Sequence, residues 1–423
     1  MKNWVLSFVL ICASSLSAFS GPAEETNAVA PKVAVVQQVK RLAVFLDGTW
    51  NAVDNNTNVW RMKALCAKTG TDGLPQLVYY EIGVNGVLGG TLGKGLDENI
   101  RLAYEWLVEN YDDGDEIFIF GFSRGAYTAR SLAGLIAKLG ILKHGSPIGV
   151  SQLYERYKRS YEQTIWELNE QQDAGTLDAT NATLEVRLML KYSQRVNIKV
   201  VAVWDTVGAL GIPAFSIEGV SRTTFGFLQT GLRIHIENGY HALAIDEHRP
   251  DFAPTLWDVR HSNDPTEAHA DPRSITSVEQ RWFVGAHANV GGGYDSDLLA
   301  QIPLRWIMKK ASTHGLTFRN DVEIDGNVLT APITDSYKEF GKGVYSKFLQ
   351  PHFRPIGEDP EVRDDGAHAN INETIDHSVF DRWRSVPGYR PPNLLEWADR
   401  KKVDPAKLTN SVRADDPAII APD

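Results

Sequence analysis

The stretch 117–130, IFIFGFSRGAYTAR, contains the residues best suited to do chemistry. Four β-prone apolar residues lead into Gly-Phe-Ser-Arg-Gly, and a helical pattern follows at once. Where a strand turns sharply into a helix, glycines are needed on both sides of the turn residue, because a Cβ there would collide with a neighbouring element. Gly121 and Gly125 occupy these positions, which predicts that Ser123 is a nucleophile at a helix N-terminus. The plainer interpretation is a serine in an ordinary βα turn.

Two further residues could complete a nucleophile system in the chain order Ser, Asp, His. Asp205 follows the strand-like 200–204, which places a carboxylate at the carboxyl edge of a sheet. His287 precedes the glycine-rich 289–293 and is expected on a glycine-flanked loop. The predicted roles are nucleophile for Ser123, general base and then acid for His287, and orientation of the imidazole for Asp205.

Each of these two residues also has a purely structural interpretation. Asp205 could be a helix cap, and His287 could be a buried histidine whose hydrogen bonds are satisfied. Asp246 is a rival candidate for the acid, and His241 and His248 are rivals for the base.

An oxyanion hole needs backbone amides that are in place before the reaction. One is expected from Arg124, the residue after the nucleophile, and the other from Gly48 or Thr49 in the turn after the first predicted strand. The alternative for that turn is structural, with Asp47 making local hydrogen bonds.

An apolar segment rich in glycine and proline follows Asp205, over 208–217 and 225–228. A loop of this composition near a catalytic strand end could form an acyl-binding wall or lid, with Leu210, Phe225 and Phe227 as substrate-binding residues. A loop folded into the core is the alternative.

Strands and helices alternate along the chain. Residues 42–46, 77–82, 117–120 and 198–204 have the pattern of buried strands, and 96–111 and 126–139 have helical spacing of apolar residues. Residues 150–195 change to a pattern that predicts long charged helices, interpreted as an inserted cap. The predicted fold class is α/β, with a mostly parallel central sheet, helices on both faces and a helical insertion. The domain is predicted to span 40–314, with a C-terminal extension over 315–423 packed on it.

The composition is that of a folded protein, with 43% hydrophobic and 23% charged residues. A net charge of -10 without a basic tract argues against nucleic acid as a partner, and any membrane contact is expected to be transient, apolar and local. The scattered histidines lack the spacing of a zinc motif, and we expect no metal and no cofactor. The sequence does not indicate an oligomeric state.

Residues 1–20 have the pattern of a secretory signal peptide: Lys2, an apolar run over 4–13, and Ala18-Phe19-Ser20 as a small-x-small cleavage site. Residues 21–39 are expected to form a flexible arm, and the protein is predicted to be exported to the periplasm or beyond. A lipoprotein signal at Cys12 and an uncleaved membrane anchor are the alternatives. Without this segment Cys66 is the only cysteine, so no intramolecular disulfide is expected.

Five motifs occur in order between about residues 41 and 310: DGTWN, GFSRGAYTAR, VWDTVGALG, HALAIDEHRPDF and WFVGAHANVGGGY. Together they resemble the α/β-hydrolase family of uncharacterised proteins that includes phospholipase effectors of bacterial type VI secretion. The resemblance implies an ester hydrolase with Ser123, Asp205 and His287 as its triad. It also implies that 246–249 belong to the shared core, without indicating a chemical role for them.

Three functions therefore stay open. A serine hydrolase acting on phospholipids or other acyl esters is favoured by the apolar segment, and an exported carboxylesterase on soluble or polymeric esters is favoured by the signal peptide. An envelope protein that uses a hydrolase scaffold without catalysis is the third.

Overall fold

The computed structural model describes residues 38–48, 55–83, 91–159, 162–178, 182–207, 235–261, 273–295, 297–358, 361–363 and 366–422. The predictions made for residues 1–20 and 21–37, for Thr49, and for Leu210, Phe225 and Phe227 lie outside these ranges.

A mostly parallel sheet of eight strands forms the centre of the fold, in the order β13-β12-β9-β7-β6-β3-β1-β2. Only the β12–β13 pair is antiparallel. The strands are β1 (Arg41–Leu46), β2 (Gln76–Glu81), β3 (Glu116–Phe122), β6 (Ile198–Trp204), β7 (Ile236–Ala244), β9 (Val278–Phe283), β12 (Glu373–Ile375) and β13 (Val412–Arg413). There are also two small antiparallel sheets. One pairs β4 (Ile141–Leu142) with β5 (Ser193–Gln194), and the other has the order β10 (Glu361–Arg363), β11 (Gly366–Asn370) and β8 (Asp258–His261).

Helices cover both faces of this sheet. One apolar cluster joins one face of the sheet to the helices that precede and follow β3 and to the inserted helices. Another joins the opposite face to a helix before β2 and a helix after β9. The helices are α1 (Asn58–Leu65), α2 (Thr91–Asn110), α3 (Arg124–Leu139), α4 (Val150–Lys158), α5 (Ile165–Asp173), α6 (Leu184–Tyr192), α7 (His287–Gly291), α8 (Gln301–Thr313), α9 (Ser336–Glu339), α10 (Tyr345–Phe348), α11 (His377–Ser385) and α12 (Pro392–Lys401). The predicted α/β class is confirmed.

The predicted strands and helices are present with small changes in their bounds. The strand expected over 117–120 continues through Phe122, and the helix expected over 126–139 begins at Arg124. The turn at Ser123 is therefore a single residue between β3 and α3. A charge-poor strand ends where its hydrogen-bond ladder ends, and the apolar pattern alone does not mark that point.

The insertion over 150–195 contains three helices of nine residues each, not the long helices that its charge pattern suggests. Tyr154, Tyr157, Ile165 and Leu168 are buried in the cluster that includes α2 and α3. Capping by Thr164 and Thr183 starts the second and third of these helices, since each hydroxyl accepts a backbone N–H in the first turn.

The C-terminal segment extends the central sheet. β12 pairs in parallel with β9, and β13 pairs with β12. A third apolar cluster packs α11 and α12 against these strands. Residues after 314 thus contribute to the same sheet as the motifs before them.

Candidate active site

Ser123 occupies a strained turn between β3 and α3. Its backbone φ is +58°, a conformation that L-residues rarely adopt, and its N–H donates to the Trp204 carbonyl at 3.0 Å. A Cβ at Gly121 would lie 2.4 Å from the Gly125 carbonyl oxygen, and one at Gly125 would lie 2.3 Å from the Leu46 carbonyl oxygen. Only glycine lets the helix start this close to the sheet.

The structure brings the three sequence-predicted catalytic residues together. Ser123 Oγ lies 2.8 Å from His287 Nε2, and His287 Nδ1 lies 2.5 Å from Asp205 Oδ2. The histidine is thus between the hydroxyl and the carboxylate, with one ring nitrogen facing each. A neutral imidazole in this position donates its Nδ1–H to Asp205 and accepts the serine proton at Nε2.

Asp205 follows β6 directly and is held by its backbone as well as its side chain. Its φ is +39°, its N–H donates to the Ala242 carbonyl at 2.7 Å, and its Oδ1 accepts the Ala244 N–H at 3.0 Å. These contacts direct the carboxylate from the carboxyl edge of the sheet towards His287.

Arg354 forms a buried bidentate ion pair with Asp205. Its Nη1 donates to Oδ1 at 2.6 Å and its Nη2 to Oδ2 at 3.0 Å, and both side chains are fully buried. The same nitrogens also donate to the carbonyls of Ala244 and Phe252. Burial raises the pKa of Asp205, but the Arg354 charge and the His287 hydrogen bond outweigh it and hold this pKa well below its usual value.

His287 is the first residue of α7, a helix of five residues, whereas the sequence suggests a glycine-flanked loop. Its backbone N–H donates to Glu247 Oε2 at 3.2 Å. Burial lowers the pKa of the imidazole, and the hydrogen bond and charge of Asp205 oppose that effect. The histidine is therefore poised in its neutral form, which a general base requires.

Glu247 connects His287 to two other side chains. It accepts three hydrogen bonds from Arg249, at 2.8 to 2.9 Å, and one from the Ser336 hydroxyl at 2.8 Å. Burial raises the pKa of this carboxyl, but the hydrogen bonds and charge of Arg249 outweigh it and lower the pKa to about 2. Glu247 is thus an ionised anchor for the start of α7 rather than a proton carrier.

Aromatic rings enclose the imidazole. The Phe122 ring lies 4.7 Å from the His287 ring and the Phe252 ring lies 5.1 Å from it, measured between centroids. The Arg249 guanidinium stacks 3.4 Å above Phe252, and Phe340 contacts Phe252 edge-on at 6.2 Å. This apolar surround keeps water away from the histidine and accounts for the lowering of its pKa.

The rival candidates make other contacts. His241 accepts the Thr206 N–H at Nε2, and burial lowers its pKa to about 3, so it is a neutral structural histidine. Asp246 accepts the Gly285 N–H at 2.7 Å and the Tyr389 hydroxyl at 3.1 Å. The His248 ring packs against Phe353.

The loop after β1 is ordered by Asp47. Its carboxylate accepts the Gly48 N–H at 2.8 Å, the Thr57 hydroxyl at 2.6 Å and the Tyr80 hydroxyl at 3.0 Å. Gly48, one of the residues expected to supply an oxyanion amide, thus donates to its neighbour here, and Thr49 lies outside the described residues. Arg124 begins α3 directly after Ser123.

Reasoning from the sequence did not find Arg354 and could not assign a role to 246–249. Arg354 lies in a segment without a recognisable motif, 149 residues from its partner, and nothing local marks it. The motif HALAIDEHRPDF does contain Asp246, Glu247 and Arg249, but only the fold shows that they hold the residues around His287.

In the described part of the chain, we find no group of three or more His, Cys, Asp or Glu side chains arranged to hold a metal ion. Among the same residues, none of the helices is long and apolar enough to cross a membrane.

Comparison with known proteins gives a family match over residues 40–310, to the catalytic domain of Tle1-like phospholipase effectors of the type VI secretion system (T6SS). A curated relative is the uncharacterized protein YEL023C of Saccharomyces cerevisiae, 30% identical over 157 residues; the match covers 37% of this chain and 21% of the yeast protein.

Two solved structures are similar at low identity. One is an uncharacterized protein from Pseudomonas aeruginosa, with 16% identity and a TM-score of 0.40, covering 66% of this chain and 46% of that one. The other is the Tle1 effector bound to the VgrG spike, with 16% identity and a TM-score of 0.30, covering 61% of this chain and 52% of that one. The family match spans more than half of the chain, and the chain therefore belongs to the Tle1-like phospholipase effector family.

Proposed function

We propose that this protein is a serine hydrolase that cleaves carboxylic esters of lipids. Ser123 Oγ attacks the ester carbonyl carbon while His287 Nε2 takes its proton, and the protonated histidine then gives that proton to the leaving alkoxide. Water activated by the same histidine releases the acyl group from Ser123. Asp205 keeps the imidazole in the required tautomer and stabilises the imidazolium.

The observation that carries this proposal is the continuous chain of hydrogen bonds from Ser123 Oγ through His287 to Asp205, at 2.8 and 2.5 Å. An ordinary turn serine does not need a strained backbone, two obligatory glycines and a buried His–Asp pair aligned on its hydroxyl. Their combination at one edge of the sheet supports a nucleophile.

The oxyanion is proposed to form hydrogen bonds to the backbone N–H of Arg124 and to an amide of the loop after β1. A helix N-terminus favours negative charge, and α3 starts at Arg124. In that loop Thr49 is the preferred second donor, because the Gly48 N–H already donates to Asp47.

A lipid substrate is supported by the family and by the apolar surroundings of the histidine. Leu210, Phe225 and Phe227 are proposed to contact the acyl chain. Replacing both phenylalanines by serine is expected to reduce rates on sixteen-carbon esters by orders of magnitude and spare two-carbon esters, because each buried methylene contributes about 0.8 kcal/mol. Parallel losses with a lower melting temperature would instead place these rings in the core.

The proposed function is tested by labelling with a fluorophosphonate, followed by assays on short-chain and long-chain acyl esters and on phospholipid vesicles. We expect covalent labelling of Ser123 and release of fatty acid from the vesicles. If Ser123 is labelled but the protein hydrolyses only short soluble esters, the alternative function of a carboxylesterase is favoured. Absence of labelling would contradict the proposal that Ser123 is a nucleophile.

Export is proposed from the pattern of residues 1–20. Fractionation of the producing cell, with the mass of the mature chain, tests this. Recovery of the intact chain in the cytosol would contradict it.

A further inference from the structure

We propose that residues 336–353 form a surface that docks on anionic phospholipid membranes and brings the active site to its substrate. This inference rests on the proposed lipolytic function and extends it. The segment contains α9, a turn over 340–343, α10 and the chain that follows as far as Phe353.

Exposed apolar side chains are concentrated in this segment. Val344 is 52% exposed, Phe348 71% and Phe353 40%, and Phe348 has the largest exposed fraction among the large apolar residues of the described chain. The other exposed large apolar residues are spread over several elements, as on most protein surfaces. These three side chains, here called the patch, lie within ten residues of one another in the chain, and a concentration of exposed apolar side chains marks an interaction site.

The charge of the segment matches an anionic surface. Lys338, Lys342 and Lys347 are exposed, and the segment contains a single acidic residue, Glu339, although the chain as a whole has a net charge of -10. Lys338 also contacts Asp335, just outside the segment, at 2.7 Å. Lysines beside exposed aromatic and aliphatic side chains are the usual composition of a surface that lies at the membrane interface.

Backbone geometry and side-chain hydrogen bonds hold the segment in place. Gly341, Lys342 and Gly343 all have positive φ, which reverses the chain between α9 and α10. The Tyr337 hydroxyl donates to the Leu349 carbonyl at 2.5 Å, and the Tyr345 hydroxyl donates to Asp251 Oδ2 at 2.8 Å. These hydrogen bonds tie the two ends of the segment to each other and its middle to the loop at Asp251.

The inner side of the segment contacts the active site. The Ser336 hydroxyl donates to Glu247, which also accepts the N–H of His287, and Phe340 packs on Phe252 beside the imidazole. A membrane bound by Val344 and Phe348 would consequently contact the same segment that packs against the residues around His287. The Tyr345–Asp251 hydrogen bond ties the outer part of the segment to the same loop.

Flotation with vesicles tests the inference separately from catalysis. The full chain carrying Ser123→Ala is mixed with phosphatidylcholine vesicles that contain or lack phosphatidylglycerol. We expect binding to the anionic vesicles, reduced at least about tenfold by Val344→Ser with Phe348→Ser. Lys342→Gln and Lys347→Gln should each reduce it by about fivefold, and added salt should remove that difference.

Leu184→Ser is the matched control, because Leu184 is 64% exposed but lies on α6 in the insertion. It should leave binding unchanged, and all variants keep the same N-terminal region. In the Ser123-containing protein, Val344→Ser with Phe348→Ser should lower the rate on vesicles and leave the rate on a short soluble ester within about twofold.

Vesicle binding that is absent in the parent chain, or unchanged by Val344→Ser with Phe348→Ser, would overturn the inference. A dimer that these substitutions convert to a monomer would also overturn it, since a second copy would then cover the patch. If the segment binds vesicles but the parent protein releases no fatty acid, the proposed function fails and the docking surface stands.

Discussion

Arg354 donates two hydrogen bonds to the carboxylate of Asp205 from a segment 149 residues further along the chain. The pair is fully buried, and the arginine lies outside the residues that match the family, 40–310. The C-terminal segment therefore takes part in the electrostatics of the candidate active site as well as in the sheet. Removing either partner would leave an uncompensated buried charge, which is strongly destabilising.

Replacing Arg354 by lysine is expected to lower both kcat and the melting temperature, because one ammonium cannot reproduce the bidentate contact. Arg354→Met should have a larger effect. It leaves the negative charge of Asp205 uncompensated beside His287, which raises the pKa of the imidazole and moves the acidic limb of the kcat/KM profile to higher pH.

The matched control is Arg281→Lys, since Arg281 is equally buried and pairs with Glu279 and Asp376 rather than with Asp205. It should lower the melting temperature without moving the pH profile. An Arg354→Met protein that folds and has the parent's acidic limb would contradict a role for this charge in the active site.

Ser123→Ala should abolish ester hydrolysis and leave the fold intact, because it removes one oxygen while Gly121 and Gly125 keep the turn. A loss of about three or more orders of magnitude in kcat is typical of such a nucleophile. Turnover of a purified ester, measured beside thermal melting, checks this. Retention of half the activity would show that another residue attacks the substrate.

His287→Ala should reduce kcat nearly as much as the serine change. Asp205→Asn should be milder, with a factor of loss in kcat ~10 to 100 times smaller. Combining His287→Ala with Ser123→Ala should add little, because the residues act as a unit. Asp205→Asn should also lower the melting temperature, since it leaves the Arg354 charge buried without its partner. Additive losses in the double variant would argue against a common mechanism.

Gly125→Ala should destabilise the protein and reduce labelling by a fluorophosphonate, because the new Cβ would lie 2.3 Å from the Leu46 carbonyl oxygen and push α3 away from β1. Gly388→Ala is the control, since a Cβ there meets nothing within 4 Å. Equal melting temperatures for the two variants would show that the helix has room to shift.

Asp246 should make stability depend on pH. Burial raises the pKa of this carboxyl from its usual 3.8 to about 6, so the folded state keeps a proton that the unfolded chain has released. The resulting stabilisation is present below about pH 4 and is lost as the pH rises through about 6.

Asp246→Asn keeps an oxygen acceptor for Gly285 and Tyr389 but cannot ionise. The melting temperature of the Asp246→Asn protein, minus that of the parent, should therefore rise between pH 4 and pH 7. The raised pKa of the Asp246 carboxyl sets this range. Asp321→Asn, at the exposed ion pair with Arg305, is the control for the loss of a surface carboxylate. A constant difference across this range would mean that Asp246 titrates normally.

The sequence alone determined the class of fold and the local geometry around Ser123. Apolar runs without charges predicted the parallel strands, and the spacing of Gly121, Ser123 and Gly125 predicted the turn. These features are local, because a strand, a helix start and a steric gap each depend on residues close together in the chain. The same reasoning proposed Asp205 and His287 from their positions after strands, and the fold places them in line with Ser123.

Only the tertiary structure decided which distant residues support this site. Arg354 approaches Asp205 from a segment outside the sheet, where its backbone carbonyl accepts a hydrogen bond from the Asn393 side chain. Glu247 and Phe252, which follow β7, likewise contact His287 only because the fold places α7 beside them. The exposure of Phe348 depends on how α10 packs. The Arg354–Asp205 ion pair joins segments 149 residues apart, and the exposure of a side chain depends on what packs around it, so neither composition nor periodicity predicts them.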